Sequence, residues 1–196
     1  MPTFAEVMDF VNHWSSHITL ENDEAEAYYD LIQGLPDHAT ILELGCQYGR
    51  TSGIAAKLNR GFNFHFVDAF TGRDGLEIRE CWEAMMAETG VRYKLYPVYS
   101  NNPFLPDLDA DLVLFDADHS EPWVAWDCDR FLPMVKLDGY AVFHDYARED
   151  TNAVQRVVDS RPLIRRDFKR IKLTGTLLIL RRRNEVSHRE PDLRPV

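Results

Sequence analysis

Apolar residues in the N-terminal segment recur at the spacing of an α-helix. The pattern predicts one amphipathic helix over residues 3–16 and a second over 23–34. The turn-forming sequence GLPD then ends the second helix. Residues 1–36 are therefore predicted to form a helical cap that precedes a sheet.

From residue 37 onward, short apolar runs alternate with amphipathic segments. The run DLVLFD is almost continuously apolar, as expected of a parallel strand that is buried on both faces. Such β–α alternation is typical of an open sheet with helices on both faces. Strands are predicted at 39–44, 62–67, 93–98, 111–116 and 139–145, and helices at 51–58, 76–88, 122–135 and 150–160.

Two further strands, predicted at 163–169 and 173–181, have a different relationship to each other. The link between them is too short for a helical crossover, so they must pair antiparallel. Residues 37–181 are thus predicted to form an α/β domain with a Rossmann-like doubly wound sheet, mostly parallel with one antiparallel strand. The polar, proline-containing tail at 182–196 is predicted to be disordered.

Composition and charge narrow the range of partners. The 196 residues carry a net charge of -10, whereas proteins that bind nucleic acid carry a basic surplus for the phosphate backbone. The sequence contains no apolar run of membrane-spanning length, and its first residues lack the basic start and apolar block of a signal peptide. We therefore expect a cytoplasmic protein that binds neither nucleic acid nor membranes.

The sequence TILELGCQYGRTS at 40–52 combines a strand, a glycine-containing turn and the start of a helix. Glycines allow the backbone to approach a ligand closely, and a helix N-terminus offers free N–H groups. Glu43 stands just before the turn, where its charge would repel a pyrophosphate. The carboxylate instead suits a ligand that carries hydroxyl or ammonium groups.

Other polar residues follow the ends of later strands. Asp68 lies about twenty residues past the glycine turn, the usual place for an acid that binds both hydroxyls of a ribose. Asp116 and Asp145 end neighbouring strands without an evident Lys or Arg partner, which favours a hard-oxygen site for Mg²⁺ or Ca²⁺. His119 and His144 are candidate general bases because imidazole titrates near neutrality.

Four of these strand ends together resemble a known family. ELGCQYGRTS, FVDAF, DLVLFDADHS and LDGYAVFHDY, in this order, are similar to the class I S-adenosylmethionine-dependent methyltransferases. The similarity is greatest to the small O-methyltransferase branch, which includes catechol, caffeoyl-CoA and macrolide-sugar enzymes. The resemblance covers residues 37–181 and implies methyl transfer to a hydroxyl of a small molecule, as in secondary metabolism.

The resemblance also implies roles for individual residues. Asp116 and Asp145 would hold a divalent cation, and His119 or His144 would act as the catalytic base. Tyr146 departs from the family pattern, because catechol-type enzymes have Asn there, and this leaves the third metal ligand open. The residues expected to contact S-adenosylmethionine are Glu43, Gly45, Cys46, Gly49, Thr51, Ser52, Asp68, Ala69, Phe70, Ser100 and Asp116.

Two other interpretations of the sequence remain. One is a non-catalytic protein that binds the cofactor or acts in assembly, which the departure at Tyr146 allows. The other is an NAD-dependent oxidoreductase, which is disfavoured because Gln47 occupies the place of a middle glycine and Glu43 precedes the turn. A homodimer is a further expectation, since an exposed Trp123 or Trp126 would suit a subunit contact.

Overall fold

The computed structural model describes residues 1–14, 20–148 and 152–184. Helices and strands alternate through most of this part of the chain. The helices are Phe4–Trp14 (α1), Asn22–Gln33 (α2), Arg50–Lys57 (α3), Gly75–Thr89 (α4), Glu121–Phe131 (α5), Ala153–Ser160 (α6) and Pro162–Asp167 (α7). The strands are Thr40–Leu44 (β1), Asn63–Val67 (β2), Tyr93–Tyr96 (β3), Ala110–Phe115 (β4), Val135–Phe143 (β5), Phe168–Thr174 (β6) and Leu177–Arg182 (β7).

The seven strands form one sheet in the order β3-β2-β1-β4-β5-β7-β6. β7 runs antiparallel to both of its neighbours, and the other pairings are parallel. The strand order reverses between β1 and β4, the position at which doubly wound sheets bind their ligands. The predicted fold class, with one reversed strand, is confirmed.

The register aligns the carboxyl ends of four parallel strands. Leu44 pairs with both Val67 and Phe115, and Phe115 pairs in turn with Phe143. These four residues end β1, β2, β4 and β5, so the residues that follow them emerge at one edge of the sheet. The polar strand ends seen in the sequence therefore meet in space.

Helices cover both faces of the sheet. On one face α1 packs on α3 and α4, and α2 packs on α3. Buried side chains of α1 and α2, among them Val11 and Tyr28, share one core with Phe66 of β2 and Trp82 of α4. The opposite face is covered by α5, α6 and α7. The N-terminal helices are thus part of the main hydrophobic core.

The prediction of a strand at 163–169 is wrong over its first five residues. Pro162 begins α7, because proline suits the first turn of a helix, and β6 starts only at Phe168. The antiparallel hairpin itself is present. The helix predicted at 122–135 is also too long, since a 3₁₀ turn at Leu132–Met134 follows α5 and β5 begins at Val135.

Some predictions fall on parts of the chain outside the described residues. The helix predicted at 150–160 is present from Ala153, and residues 149–151 lie outside. In the predicted tail 182–196, Arg182 is the last residue of β7, and residues 185–196 lie outside. None of the helices in the described ranges has the length and apolar character needed to cross a lipid bilayer.

Candidate cofactor site and histidine–carboxylate cluster

The glycine turn after β1 lies directly against the end of β4. The N–H of Asp116 donates to the carbonyl of Leu44 over 2.9 Å, and the N–H of Gly45 donates to the carbonyl of Val67 over 2.8 Å. Gly45 has φ = 86°, and a β-carbon at this position would overlap the carbonyl oxygen of Asp116. Glycine is therefore required here for both its conformation and its size.

Asp68 holds the glycine turn through its carboxylate. One oxygen, Oδ2, accepts hydrogen bonds from the N–H groups of Cys46 (2.7 Å) and Gln47 (2.9 Å). The other oxygen, Oδ1, accepts from the N–H of Phe70 over 2.6 Å. With about two acceptor sites on each oxygen, Oδ2 is fully used and Oδ1 retains one site for a ligand.

A cavity of about 370 Å³ opens at this edge of the sheet. Its volume lies within the range of roughly 300–1,000 Å³ that is usual for small-molecule sites. Six of the residues predicted to contact the cofactor line it: Gly45, Asp68, Ala69, Phe70, Ser100 and Asp116. Lining residues that sequence reasoning did not assign to the cofactor are Gln47, Tyr48, Val67, Thr71, Ile78, Val98, Tyr99, Ala117, Asp118 and Trp123.

Tyr99 and Trp123 form an aromatic pair in the wall of the cavity. Their ring centroids are 5.9 Å apart, with an angle of 30° between the ring planes. Trp123 comes from the first turn of α5, and Tyr99 follows β3. The pair offers a flat apolar surface, and stacked aromatic side chains of this kind favour planar ligand groups.

Five other predicted cofactor residues are not among those that line the cavity: Glu43, Cys46, Gly49, Thr51 and Ser52. The Glu43 side chain is fully buried beneath the turn. Its carboxyl group accepts hydrogen bonds from the hydroxyls of Thr51 (2.5 Å) and Ser52 (2.9 Å), both on α3. The geometry thus gives Glu43 a supporting position, joining the end of β1 to the start of α3.

Burial changes the ionisation of Glu43. It raises the pKa of this carboxyl to about 8, because the hydrogen bonds from Thr51 and Ser52 only partly offset the loss of water and the nearby charges of Asp116 and Asp68 add to the increase. Burial also raises the pKa of the Cys46 thiol well above its usual value. Cys46 is therefore a packing residue of the turn rather than a nucleophile.

Two histidines and two aspartates meet beside the cavity. Oδ1 of Asp116 lies 3.2 Å from Nε2 of His119 and 2.9 Å from Nδ1 of His144. The second ring nitrogen of His119, Nδ1, lies 3.0 Å from Oδ2 of Asp145. An imidazole thus lies between the two carboxylates that the sequence predicts as metal ligands.

Glu24 of α2 completes this cluster from the opposite side. Its Oε2 lies 3.7 Å from Nε2 of His144, and its side chain is 3% exposed. The other oxygen, Oε1, accepts hydrogen bonds from the N–H (2.5 Å) and the hydroxyl (2.8 Å) of Thr176. No local sequence signal identifies Glu24, because it reaches the site only through the packing of α2 on the β6–β7 turn.

The charges of the cluster stabilise one another. Burial disfavours a charged imidazole, but the bonds to Asp116 and Asp145 outweigh it and raise the pKa of His119 to about 9. Burial is likewise outweighed at His144, where Asp116 and Glu24 raise the pKa to about 10. The histidines in turn hold the pKa of Asp145 well below its usual value, against the effect of burial.

Arg148 adds a further positive charge beside the cluster. Its Nη1 lies 3.0 Å from Oδ2 of Asp145, and the Arg148 side chain is half exposed. The expectation that Asp145 lacks a cationic partner is therefore wrong. The interaction was not evident from the sequence because the strand end turns sharply at Asp145, which has φ = 54°.

Tyr28 of α2 is a second residue that no local sequence signal identifies. Its side chain is fully buried, and its hydroxyl has no hydrogen-bond partner among the described residues. Burial raises the pKa of this hydroxyl well above its usual value, and the charges of Glu43 and Asp116 raise it further. A buried hydroxyl without a partner is costly and therefore marks a place where a ligand atom could bind.

A family model described as a methyltransferase domain matches residues 42–146. This range covers more than half of the chain and contains the glycine turn, Asp68 and the histidine–carboxylate cluster apart from Glu24. The chain therefore belongs to this methyltransferase family and, with it, to the class I S-adenosylmethionine-dependent methyltransferases. No curated protein sequence matches the chain.

Solved methyltransferase structures share the fold at low sequence identity. A methyltransferase from Geobacter sulfurreducens is 15% identical with a TM-score of 0.64, over 93% of this chain and 91% of that one. TomG from Streptomyces achromogenes, an O-methyltransferase of tomaymycin synthesis in complex with S-adenosylmethionine, is 14% identical with a TM-score of 0.61, over 92% and 89%. An rRNA methylase from Streptococcus thermophilus is 13% identical with a TM-score of 0.60, over 81% and 95%.

Proposed function

We propose that this methyltransferase acts on a hydroxyl oxygen of a small molecule. The observation that supports this most directly is that one cavity connects the Asp68-held turn with Asp116. The cofactor would occupy the side of Asp68, and the acceptor hydroxyl would lie near Asp116, where the histidine–carboxylate cluster begins. Residues 37–181 would then form the catalytic unit, and residues 1–36 would supply Glu24 and Tyr28 to the cluster.

On the cofactor side, the ribose would be bound by the remaining acceptor site on Oδ1 of Asp68, and the adenine would lie near Phe70 and Ser100. The Tyr99–Trp123 pair would extend the apolar wall beside it. Gly45 would allow the methionine part to pass close to the backbone. Glu43 acts as a positioning residue, since its bonds to α3 fix the turn that carries Gly45.

Methyl transfer to oxygen requires removal of one proton. The hydroxyl oxygen forms a bond to the methyl carbon while the bond from that carbon to sulfur breaks, which leaves S-adenosylhomocysteine and a methyl ether. Both ring nitrogens of His119 face carboxylates, and those of His144 do so as well, so neither imidazole presents an open nitrogen. The raised pKa values of about 9 and about 10 keep both imidazoles protonated near neutral pH, so we assign proton uptake to the cluster at higher pH, where an imidazole is neutral.

The divalent cation predicted from Asp116 and Asp145 needs a set of oxygen ligands that converge on one point. The imidazole of His119 lies between these two carboxylates, 3.2 Å from one and 3.0 Å from the other. The donor set therefore does not fit an oxygen-only site for Mg²⁺ or Ca²⁺. No step of the reaction is assigned to such an ion.

RNA is the alternative acceptor, because rRNA methylases share the fold. The net charge of -10 argues against it, since RNA binding requires a positively charged surface. A cavity of about 370 Å³ is also better suited to a small molecule than to a nucleic acid. The predicted small-molecule substrate is therefore retained in the proposal.

The proposal is tested by following the methyl group. S-adenosylmethionine with a labelled methyl group is incubated with the protein and either a panel of phenols and sugars or purified rRNA. We expect label in methyl ethers of small molecules and none in RNA. Label in RNA alone would contradict the proposed substrate class, and bound cofactor without transfer to any acceptor would favour the non-catalytic interpretation.

A further inference from the structure

Three side chains beside the cavity present donor atoms at the spacing of metal ligands. Asp116, His119 and His144 each offer one ligand atom, and these atoms all lie within 4.8 Å of one another. Oδ1 of Asp116 lies 3.2 Å from Nε2 of His119 and 2.9 Å from Nδ1 of His144. Ligands about 2.0–2.1 Å from a tetrahedral ion lie roughly 3.3 Å from one another. The two distances from Asp116 are close to this spacing, and the two imidazole nitrogens lie within 4.8 Å of each other.

Each histidine of this trio has a carboxylate behind it. The remaining ring nitrogen of His119 lies 3.0 Å from Oδ2 of Asp145, and that of His144 lies 3.7 Å from Oε2 of Glu24. Metal-binding histidines in proteins almost always direct their second nitrogen at a carboxylate, carbonyl or water, which fixes the ring and makes it a better ligand. Here both rings have such a partner.

The outer carboxylates are themselves held in place. Glu24 accepts two hydrogen bonds from Thr176 and one of 2.9 Å from the N–H of Glu21. Asp145 is paired with Arg148. Nearby, the buried Tyr28 hydroxyl has no partner among the described residues, although the charge of Asp116 acts on it. The carboxylates behind the two histidines are therefore held in place, and the charge of Asp116 acts on a buried hydroxyl without a partner.

We propose that Asp116, His119 and His144 bind one divalent transition-metal ion of the Zn²⁺, Co²⁺ or Fe²⁺ class, and that Asp145 and Glu24 orient the two histidines. Asp145 is then a positioning residue, not a ligand. Imidazole nitrogen selects such ions, whereas Mg²⁺ and Ca²⁺ prefer oxygen. The ion displaces the ring protons, because only a neutral imidazole nitrogen binds a metal.

Metal binding follows from the donor geometry of Asp116, His119 and His144 alone. That the ion activates the acceptor hydroxyl rests additionally on the proposed function, since a bound cation lowers the pKa of a coordinated hydroxyl. Metal binding and the activation of the hydroxyl can therefore be tested separately. Metal binding is measured without cofactor or substrate, and cofactor binding is measured without metal.

The test uses the full chain and the metals alone. Calorimetry with Zn²⁺, Co²⁺ and Mg²⁺ should give one site per chain, with Co²⁺ and Zn²⁺ bound at least about tenfold more tightly than Mg²⁺. The visible absorption of bound Co²⁺ should show imidazole ligation. His119→Ala and Asp116→Ala should abolish binding, while Asp145→Asn and Glu24→Gln should weaken it by about 10–100-fold. His13→Ala, on an exposed position of α1, is the matched control and should bind as the wild type does.

Several results would overturn the assignment. Preference for Mg²⁺, or Co²⁺ binding that survives both His119→Ala and His144→Ala, would exclude the histidines as ligands. If Asp145→Asn lowered the metal affinity as much as Asp116→Ala does, Asp145 would be a ligand and not a positioning residue. A cooperative urea-unfolding transition in each variant shows that it is folded. If His144→Ala does not fold, His119→Ala decides the test, because His119 is the more exposed of the two.

Discussion

Nδ1 of His144 lies 2.9 Å from Oδ1 of Asp116. His144 follows β5, Asp116 follows β4, and the N–H of His144 also donates to the carbonyl of Phe115. The two side chains therefore meet because the parallel pairing of β4 with β5 brings their carboxyl ends to the same level. This contact joins the edge of the cofactor cavity to the buried Glu24 of the N-terminal helices, and it makes the cluster a product of the whole fold.

Replacement of Gly45 by alanine should strongly destabilise the protein. The new β-carbon would meet the carbonyl oxygen of Asp116, and φ = 86° is unfavourable for any side chain. We expect a loss of about 2–4 kcal/mol in the free energy of unfolding, measured with urea. Gly90→Ala is the control, because Gly90 has φ = 69° but no atom within 4 Å of the new β-carbon. Equal losses in the two variants would contradict the close approach at Gly45.

Glu43→Gln should change the pH dependence of stability. The folded wild type keeps a proton on Glu43 up to about pH 8, whereas the unfolded chain releases it near the ordinary value of 4.5. Wild-type stability therefore falls as the pH rises through this window. Glutamine has no such proton. The free energy of unfolding of the variant should therefore rise relative to that of the wild type by up to about 1.4 kcal/mol per pH unit in this window.

Urea unfolding of both proteins between pH 5 and 8 measures this difference. Other titrating groups, such as Asp127 with a pKa raised by burial to about 6, are common to both proteins and cancel. A difference that stays constant with pH would show that Glu43 is ionised in the folded state.

Trp123→Ala should weaken cofactor binding while leaving the fold intact. The ring lines the cavity and stacks on Tyr99, so its loss removes one aromatic contact and should raise the Kd for S-adenosylhomocysteine by up to about tenfold. Trp126→Ala is the control on the same helix. Trp126 packs on Phe131 away from the cavity, so its loss should lower stability without changing affinity. Equal Kd values for the Trp123 variant and the wild type would show that the Tyr99–Trp123 pair does not contact the cofactor.

Thr176→Val should loosen the connection between α2 and the β6–β7 turn. The variant loses the hydroxyl bond of 2.8 Å to Glu24 and keeps only the bond from the backbone N–H. A hydrogen bond to a charged group contributes about 1.5–3 kcal/mol, and a loss of this size is expected in urea unfolding. In the Glu24→Gln background the same substitution should cost less, and a cost that is unchanged there would show that the two side chains are not coupled.

The sequence predicts the fold well because buried strands and amphipathic helices have strong apolar patterns. The misassigned segment at 163–169 contains Arg165 and Arg166 between apolar residues, a pattern that fits a short helix and an edge strand equally well. Pro162 was the available signal for the helix start. The secondary structure of such a short segment depends on its packing and not on its local sequence pattern.

The site is only partly predictable for a different reason. Gly45, Asp68 and Asp116 could be placed because strand ends of a doubly wound sheet converge. Glu24 and Tyr28 come from a helix that no spacing rule connects to the strand ends, and the burial of Glu43 beneath the turn depends on the packing of α3. Contacts between residues far apart in sequence become visible only in the folded chain.

The most direct test of the account is calorimetric titration of the metal-free protein with S-adenosylhomocysteine. We predict one bound molecule per chain for the wild type and a Kd at least about 100-fold higher for Asp68→Ala, corresponding to about 3 kcal/mol. Asp37→Ala, which removes a carboxylate that is 71% exposed and paired only at the surface with Arg60, should bind as the wild type does. Absence of binding to the wild type, or equal affinity in the Asp68 variant, would contradict the assignment of this cavity to the cofactor.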